Sequence, residues 1–339
     1  MKNILILCGG QSPEHVISIR STKNIIKEID KSRYNFSIIG ISKAGSWRLV
    51  REDELAEEIT TQGELVSIHP GGQDFFVSNN KSIGRFDVVF PILHGPKGED
   101  GTIQGLLCLL GIPFVGSDVL GSAASMDKDV AKRLLRDSGI KVADWILIIR
   151  GDEIPTYAEV SFLGSVVFVK PANMGSSVGV HRVTNESEWN VAIKDSLQYD
   201  RKVLVEKKVE GKELECAVLG NDHPKASGVG EVISGNFYSY EEKYASSSKA
   251  TTRIPADVDL KYVDQLKATA IKAYKALGCQ GMSRVDMFFQ DNGEILVNEV
   301  NTIPGFTSIS MYPQLWEQEG MSYSDLINEL IELAIERGT

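Results

Sequence analysis

The sequence predicts an α/β protein, α+β in part, whose first unit is a doubly wound parallel sheet. Three observations predict it. Strand-like and helix-like stretches alternate through the first third, strand-rich stretches follow, and two apolar runs near the end flank an Asn-Gly pair. A chain of 339 residues is too long for one small core, and we divide it at residues 1–116, 117–205 and 206–339.

Residues 4–8 read as a first buried strand, followed by a turn at Gly9-Gly10 and a helix opening near Ser12. Ser12 suits the N-cap, and Pro13 the first helical position, where a missing N–H costs nothing. The helix carries an apolar stripe of Val16, Ile19, Ile25, Ile26 and Ile29. Residues 36–41 and 87–92 read as strands and 102–110 as a helix, and such a unit presents ligands at the carboxyl ends of its strands. Small residues at 116–122 lead into a helix over 126–138. Strands 165–170, 179–183 and 202–206 with a helix over 186–197 make a small central α+β unit. Strands 213–219 and 228–232, the late hairpin, and helices 256–277 and 323–337 make the third.

Net charge of −10 argues against a nucleic-acid surface, so an anionic substrate must be met by local cations or metal. The apolar run at 4–7 is too short for a signal peptide, and no segment reaches membrane-spanning length. Cys8, Cys108, Cys216 and Cys279 are scattered among apolar neighbours and read as reduced core residues of an intracellular protein. The histidines show no ligand-like clustering either.

The hairpin carries the sharpest chemistry. Asn292-Gly293 suggests a type I′ turn, which sets Asp286 opposite Glu299 and Arg284 opposite Asn301. Strand side chains alternate, so all four share one face. Two carboxylates and an amide suit Mg²⁺ completed by substrate phosphates. A solvated sheet face with a cross-strand ion pair is the alternative. In residues 170–179, small residues let backbone N–H groups approach phosphate, with Lys170 ending the strand before them. It is not a Walker loop, and an ordinary turn would look similar. Glu206-Lys207-Lys208-Val209 then Glu213 could form an adenine and ribose slot or a charged linker.

Glu14 either complements a helix dipole or holds a substrate ammonium. Residues 94–101 form a glycine-punctuated loop after a strand, where α/β proteins place ligand contacts. Residues 237–249, aromatic and charged and then serine-rich, read as a lid or as cover for a sheet edge. Gly305 and the serines after it could form an oxyanion or carboxylate site.

In order, these motifs resemble the D-alanine–D-alanine ligases of the ATP-grasp superfamily, from Gly9 to the last helix. The resemblance rests on Glu14, His94-Gly95, Gly98-Glu99-Asp100-Gly101 and Met126-Asp127-Lys128, then the 170–179 loop and Lys243-Tyr244. Arg284-Val285-Asp286, Asn298-Glu299-Val300-Asn301 and Pro304-Gly305-Phe306-Thr307-Ser308 complete it. It implies ATP-grasp architecture, with the second and third units clasping ATP. Lys128 and Lys170 would contact its phosphates under a loop at Ser176 and Ser177, and Lys243 would reach the γ-phosphate. Glu206, Lys207 and Val209 would line the adenine slot, and Glu213 would bind ribose. Asp286, Glu299 and Asn301 would hold two Mg²⁺ or Mn²⁺ ions. Glu14, with Ser176 and Tyr244, would take the first D-alanine's ammonium. Arg284 and the Gly305 N–H would stabilise the oxyanion, while Ser310 and Met311 would bind the second carboxylate.

The implied activity is ATP-dependent joining of two D-alanines through an acyl phosphate, in the cytoplasm, by a homodimer, for cell-wall precursor synthesis. D-Serine or D-lactate as second substrate is the near alternative, although Tyr244 resembles the dipeptide-forming type. A non-catalytic nucleotide-binding module is the alternative of another class, and it predicts loss of Arg284, Asp286, Glu299 or Asn301. All four are present. Two departures are Val16-Ile17 after His15, where the family commonly has an acidic residue and valine, and Met311 where it often has leucine.

Overall fold

A computed structural model describes residues 1–60, 63–70, 76–233 and 251–338. Strand β1 (Lys2–Gly9) pairs in parallel with β2 (Tyr34–Ile41) and β7 (Val88–Pro91), and antiparallel β3 (Trp47–Val50) closes one edge. β1 is apolar nearly throughout because both its faces are covered. Ile4, Ile6 and Cys8 share a core with Ile19, Ile25 and Ile26 of α1 (His15–Glu28), and with Leu326, Leu330 and Ile331 of the last helix, α8 (Tyr323–Arg337). Leu5 and Leu7 face the other way, toward Ile103 and Leu107 of α2 (Thr102–Leu110). The end of the chain therefore completes the core of its beginning. A small sheet of β4 (Val66–Ile68), β5 (Phe76–Ser78) and β6 (Lys81–Ser82) was not foreseen.

Helix α1 starts later than its sequence suggests. The Ser12 hydroxyl accepts from the Glu14 N–H at 2.9 Å, a local serine turn that delays the helix to His15. Glu14 therefore takes the N-cap position without spending its carboxylate on capping. The helix expected over 126–138 is α4 (Lys128–Asp137), and an unforeseen helix, α3 (Val119–Met126), precedes it. Asp127 separates the two, because its carboxylate accepts from the Asp129 and Val130 N–H groups and starts α4. Lys128 thereby becomes the first residue of α4.

The second sheet is antiparallel, in the order β10 (His181–Val183), β9 (Val167–Pro171), β11 (Lys202–Lys207), β8 (Trp145–Ile149), with β8 unforeseen. Trp189, Ala192 and Ile193 of α5 (Glu186–Tyr199) pack in its core.

The third sheet runs β14 (Thr251–Arg253), β13 (Lys225–Ile233), β12 (Lys212–Leu219), β15 (Met282–Phe289), β16 (Ile295–Asn301). Leu266, Ala270 and Tyr274 of α6 (Val263–Ala276) cover one face, joined by Ala131 and Leu135 of α4. Before α6 comes a 3₁₀ turn, Leu260–Tyr262, opened by the Asp259 carboxylate, so the helix is shorter than its pattern. After β16 the chain passes Gly305 into α7 (Met311–Gln318), also unforeseen. Cys8, Cys216 and Cys279 are buried thiols as expected, whereas Cys108 stands exposed on α2.

Candidate active site

The charged face of the hairpin forms as its alternation requires, by a different route. Residue Gly293 alone takes the left-handed conformation (φ +84°), the Gly293 N–H bonds to Gln290 O, and Gln290 and Glu294 pair at 2.9 Å. This is a three-residue loop, not a type I′ turn, and it moves the register by one. A bulge between Asp286 and Met287 moves it back, so Asp286 still faces Glu299 and Arg284 still faces Asn301. Without that bulge Glu299 would turn into the core.

The Arg284 guanidinium grips both Asp286 oxygens at 2.7 Å and lies 3.0 Å from Glu215 Oε2 on β12. Burial alone would lower its pKa, but the charges of Asp286, Glu215 and Glu299 raise it well above the usual arginine value. Asn301 Nδ2 donates to Asp286 Oδ2 at 3.0 Å. The oxygen set fits small hard cations, and no cluster of three acidic, histidine or cysteine ligands occurs among the described residues. Ions here would rest on two carboxylates, one amide oxygen and substrate phosphates, as Mg²⁺ prefers.

Lys128 joins this face to the small-residue loop. Its Nζ is 3.8 Å from Glu299 Oε2 and donates to Met174 O at 2.7 Å. Within the loop Ser176 and Ser177 have φ of +49° and +60°, the two left-handed positions of a tight turn closed by the Val178 N–H on Gly175 O at 3.1 Å. Lys170 on β9 does not reach out alone: its Nζ pairs with Glu206 Oε1 at 2.8 Å, and buried Lys132 of α4 pairs with Glu206 Oε2 at 2.6 Å. Desolvation would raise the Glu206 pKa, but the two lysines hold it below the ordinary carboxylate value. Sequence reading missed Lys132 and Glu215, because neither lies in a motif. Their i+4 and i+2 spacings from Lys128 and Glu213 were the only available signals.

Lys207 and Val209 line a cavity of about 780 Å³ with Trp145, Leu163 and Leu296, where β8, the 207–209 linker and the hairpin meet. Glu213 lies on β12 opposite Phe288, exposed at the edge of the same region.

Glu14, buried after β1, accepts a hydrogen bond from the Ser176 hydroxyl, joining positions 162 apart in sequence. A Cβ on Gly95 or Gly175 would sit 2.6 or 2.7 Å from Glu14 Oε2, so glycines allow both backbones to approach that carboxylate. Gly305 likewise has Ser310 Oγ where a side chain would start, at 2.7 Å. Ser310 Oγ accepts from the Thr307 N–H at 2.9 Å, while the Met311 side chain is buried in the core. Lys243 and Tyr244, and the whole 237–249 segment read as a lid, lie outside the described residues.

A strand-borne acidic face, a small-residue loop with a lysine bridging to it, and a carboxylate behind the loop define a nucleotide-dependent enzyme of the ATP-grasp fold. Family models described as "D-ala D-ala ligase N-terminus" and "D-ala D-ala ligase C-terminus" match residues 3–117 and 134–332. A D-alanine–D-alanine ligase of Oceanobacillus iheyensis is 48% identical, with 99% of this chain and 96% of that protein covered. The structure of a Coxiella burnetii D-alanine-D-alanine ligase superposes with TM-score 0.88 at 38% identity, covering 100% of this chain and 96% of that one. The VanG D-Ala:D-Ser ligase of Enterococcus faecalis gives 0.85 at 35%, covering 98% and 99%. This chain belongs to the D-alanine–D-alanine ligase family.

Proposed function

We propose that the chain joins two D-alanine molecules into D-alanyl-D-alanine at the expense of ATP. The observation that carries this is the meeting of Asp286, Glu299 and Asn301 with Lys128, 3.8 Å from Glu299, in a chain 48% identical to a ligase of that name. A carboxylate is a poor acyl donor, so its oxygen first takes the γ-phosphoryl of ATP, giving an acyl phosphate and ADP. The amine of the second amino acid, once neutral, attacks the acyl carbon, and inorganic phosphate leaves as the peptide bond forms.

Glu14, set by Ser176, receives the first ammonium. Lys128 and Lys170, with the Ser176–Ser177 bend and Lys243, receive the ATP phosphates. Glu206, Lys207 and Val209 read the adenine and Glu213 the ribose. Arg284 and the Gly305 N–H face the oxyanion, Tyr244 closes beside Glu14, and Ser310 with the Met311 backbone takes the second carboxylate. Asp286, Glu299 and Asn301 would hold Mg²⁺ or Mn²⁺, which when bound neutralises charge on the transferring phosphoryl group. Holding both amino acids in one site removes roughly 7–11 kcal/mol of barrier from a bimolecular aminolysis.

A second reading, D-serine as the incoming amino acid, is favoured by the likeness to the Enterococcus faecalis enzyme. Phosphate release with D-alanine alone, against D-alanine plus D-serine or D-lactate, decides between them. Turnover with D-alanine alone supports the dipeptide reading, and its absence overturns it. The need for ATP argues for work in the cytoplasm. Leu109, Leu120 and Val119, exposed on neighbouring α2 and α3, argue for a homodimer through that face, and light scattering tests it.

A further inference from the structure

The backbone of residues 303–306 is held at both ends by residues far away in sequence. At one end the Ile303 N–H donates to Glu99 Oε1 at 3.2 Å, and His94 Nδ1 donates to Ile303 O at 3.0 Å. Glu99 Oε2 is tied back to its own loop by the Gly95 N–H at 2.6 Å. At the other end the Phe306 N–H donates to Ser21 Oγ at 3.2 Å. Phe306 O accepts from Asn24 Nδ2 at 3.1 Å and from the Tyr323 hydroxyl at 2.5 Å. The Phe306 ring stacks edge-on against Phe90 of β7 and Tyr323 of α8, with centroids 6.1 and 6.0 Å apart. Pro304 has no N–H. Among the described residues, no group accepts from the Gly305 N–H, which sits half-exposed between buried Pro304 and Phe306.

We propose that Glu99, with His94, Ser21 and Asn24, forms a positioning clamp that aims the Gly305 N–H into the reaction site. The first sheet's α1 and 94–99 loop thus set the geometry of an N–H carried by the strand end of the third sheet. Fixing both polar groups of Ile303 and both of Phe306 leaves the intervening peptide little rotational freedom. These residues touch no reacting atom and act through the strap. The inference rests on the oxyanion role proposed for Gly305.

The test compares Glu99→Gln, Asn24→Ala and Arg284→Met with wild type, by steady-state kinetics on D-alanine and ATP and by circular dichroism. Glu99→Gln turns one N–H acceptor into a donor, so kcat should fall roughly 10–100-fold while KM for ATP stays within about twofold. Asn24→Ala leaves Tyr323 on Phe306 O, so its kcat should fall only about threefold. An unchanged kcat in Glu99→Gln beside a large loss in Arg284→Met overturns the clamp and keeps the oxyanion reading. Unchanged kcat in both overturns the oxyanion reading and the clamp with it. A loss in Glu99→Gln matched by an equal rise in KM for ATP overturns the clamp as well. If Glu99→Gln does not fold, Asn24→Ala decides: an unaltered kcat overturns the proposal.

Discussion

On β15 and β16 the charged side chains are held by ladder register, whereas Glu14, Ser176 and the strap around Gly305 are held by hydrogen bonds between residues up to 285 positions apart. The first arrangement is local and tolerates a one-residue error in the turn, because a bulge corrects it. The second has no local support and depends on three sheets meeting correctly. Position along a strand can fix chemistry by alternation alone. Position on a loop needs a partner from elsewhere.

The largest effect should come from the strand side. Glu299→Gln should reduce phosphate release by about 10³-fold or more, with circular dichroism unchanged, because the ladder does not need that charge. Near-normal turnover would remove the face from the chemistry. Arg284→Met should lower kcat by about 10²-fold or more. Here the structure adds a second consequence: Asp286 and Glu215 lose their shared cation, so stability should also drop, by about 3 kcal/mol, in urea unfolding. A loss of activity with no loss of stability would mean that the Arg284 ion pairs do little for the fold.

The loop side should break more gently. Ser176→Ala removes the hydroxyl that bonds Glu14, and KM for D-alanine should rise about tenfold with the β15–β16 face intact. A KM equal to that of wild type would show that Ser176 does not set Glu14.

Glu99 offers a pH test of the same region. Its carboxyl is pushed up to about 8 from 4.5, first by burial and then by the charge of Glu14 and that of Glu299, against the Gly95 and Ile303 N–H groups that lower it. Between these values the folded chain holds a proton that the unfolded chain has lost. Stability from this group therefore declines as pH rises from about 4.5 to about 8, and the loss is complete above that. Buried His94 beside it has a pKa lowered by desolvation and is present in both proteins. Melting temperatures of wild type should fall across this window relative to Glu99→Gln. Parallel curves would contradict it.

The smallest effect belongs to the turn. Gly293 has φ +84°, and a Cβ there would lie 2.8 Å from the Tyr262 hydroxyl. Gly293→Ala should cost about 1 kcal/mol in stability and leave kcat unchanged, since the bulge lies beyond it.

The same contrast explains what could be read from the chain. The Asp286–Glu299 and Arg284–Asn301 pairing was reached because the misjudged turn and the unforeseen bulge each move the register by one and cancel. Helix α8 and the three parallel strands of the first sheet were legible through apolar patterns, whereas the four-residue edge strand β3 was not. The eight-residue helices α3 and α7 were not, being too short to show a period. The roles of Glu99 and His94 toward Ile303 were not either, since nothing in the 94–101 loop names a partner two hundred residues away. Lys132 was invisible for a related reason: a lysine four residues into a helix usually faces water, and here Glu206 draws it inward.

The most direct measurement is Mn²⁺ binding by electron paramagnetic resonance in the presence of a non-hydrolysable ATP analogue, comparing wild type with Glu299→Gln. Two ions per chain in the wild type and fewer in the variant are expected if Asp286, Glu299 and Asn301 gather the cations that accompany the nucleotide. Equal binding in the two proteins, or none in either, would contradict that arrangement.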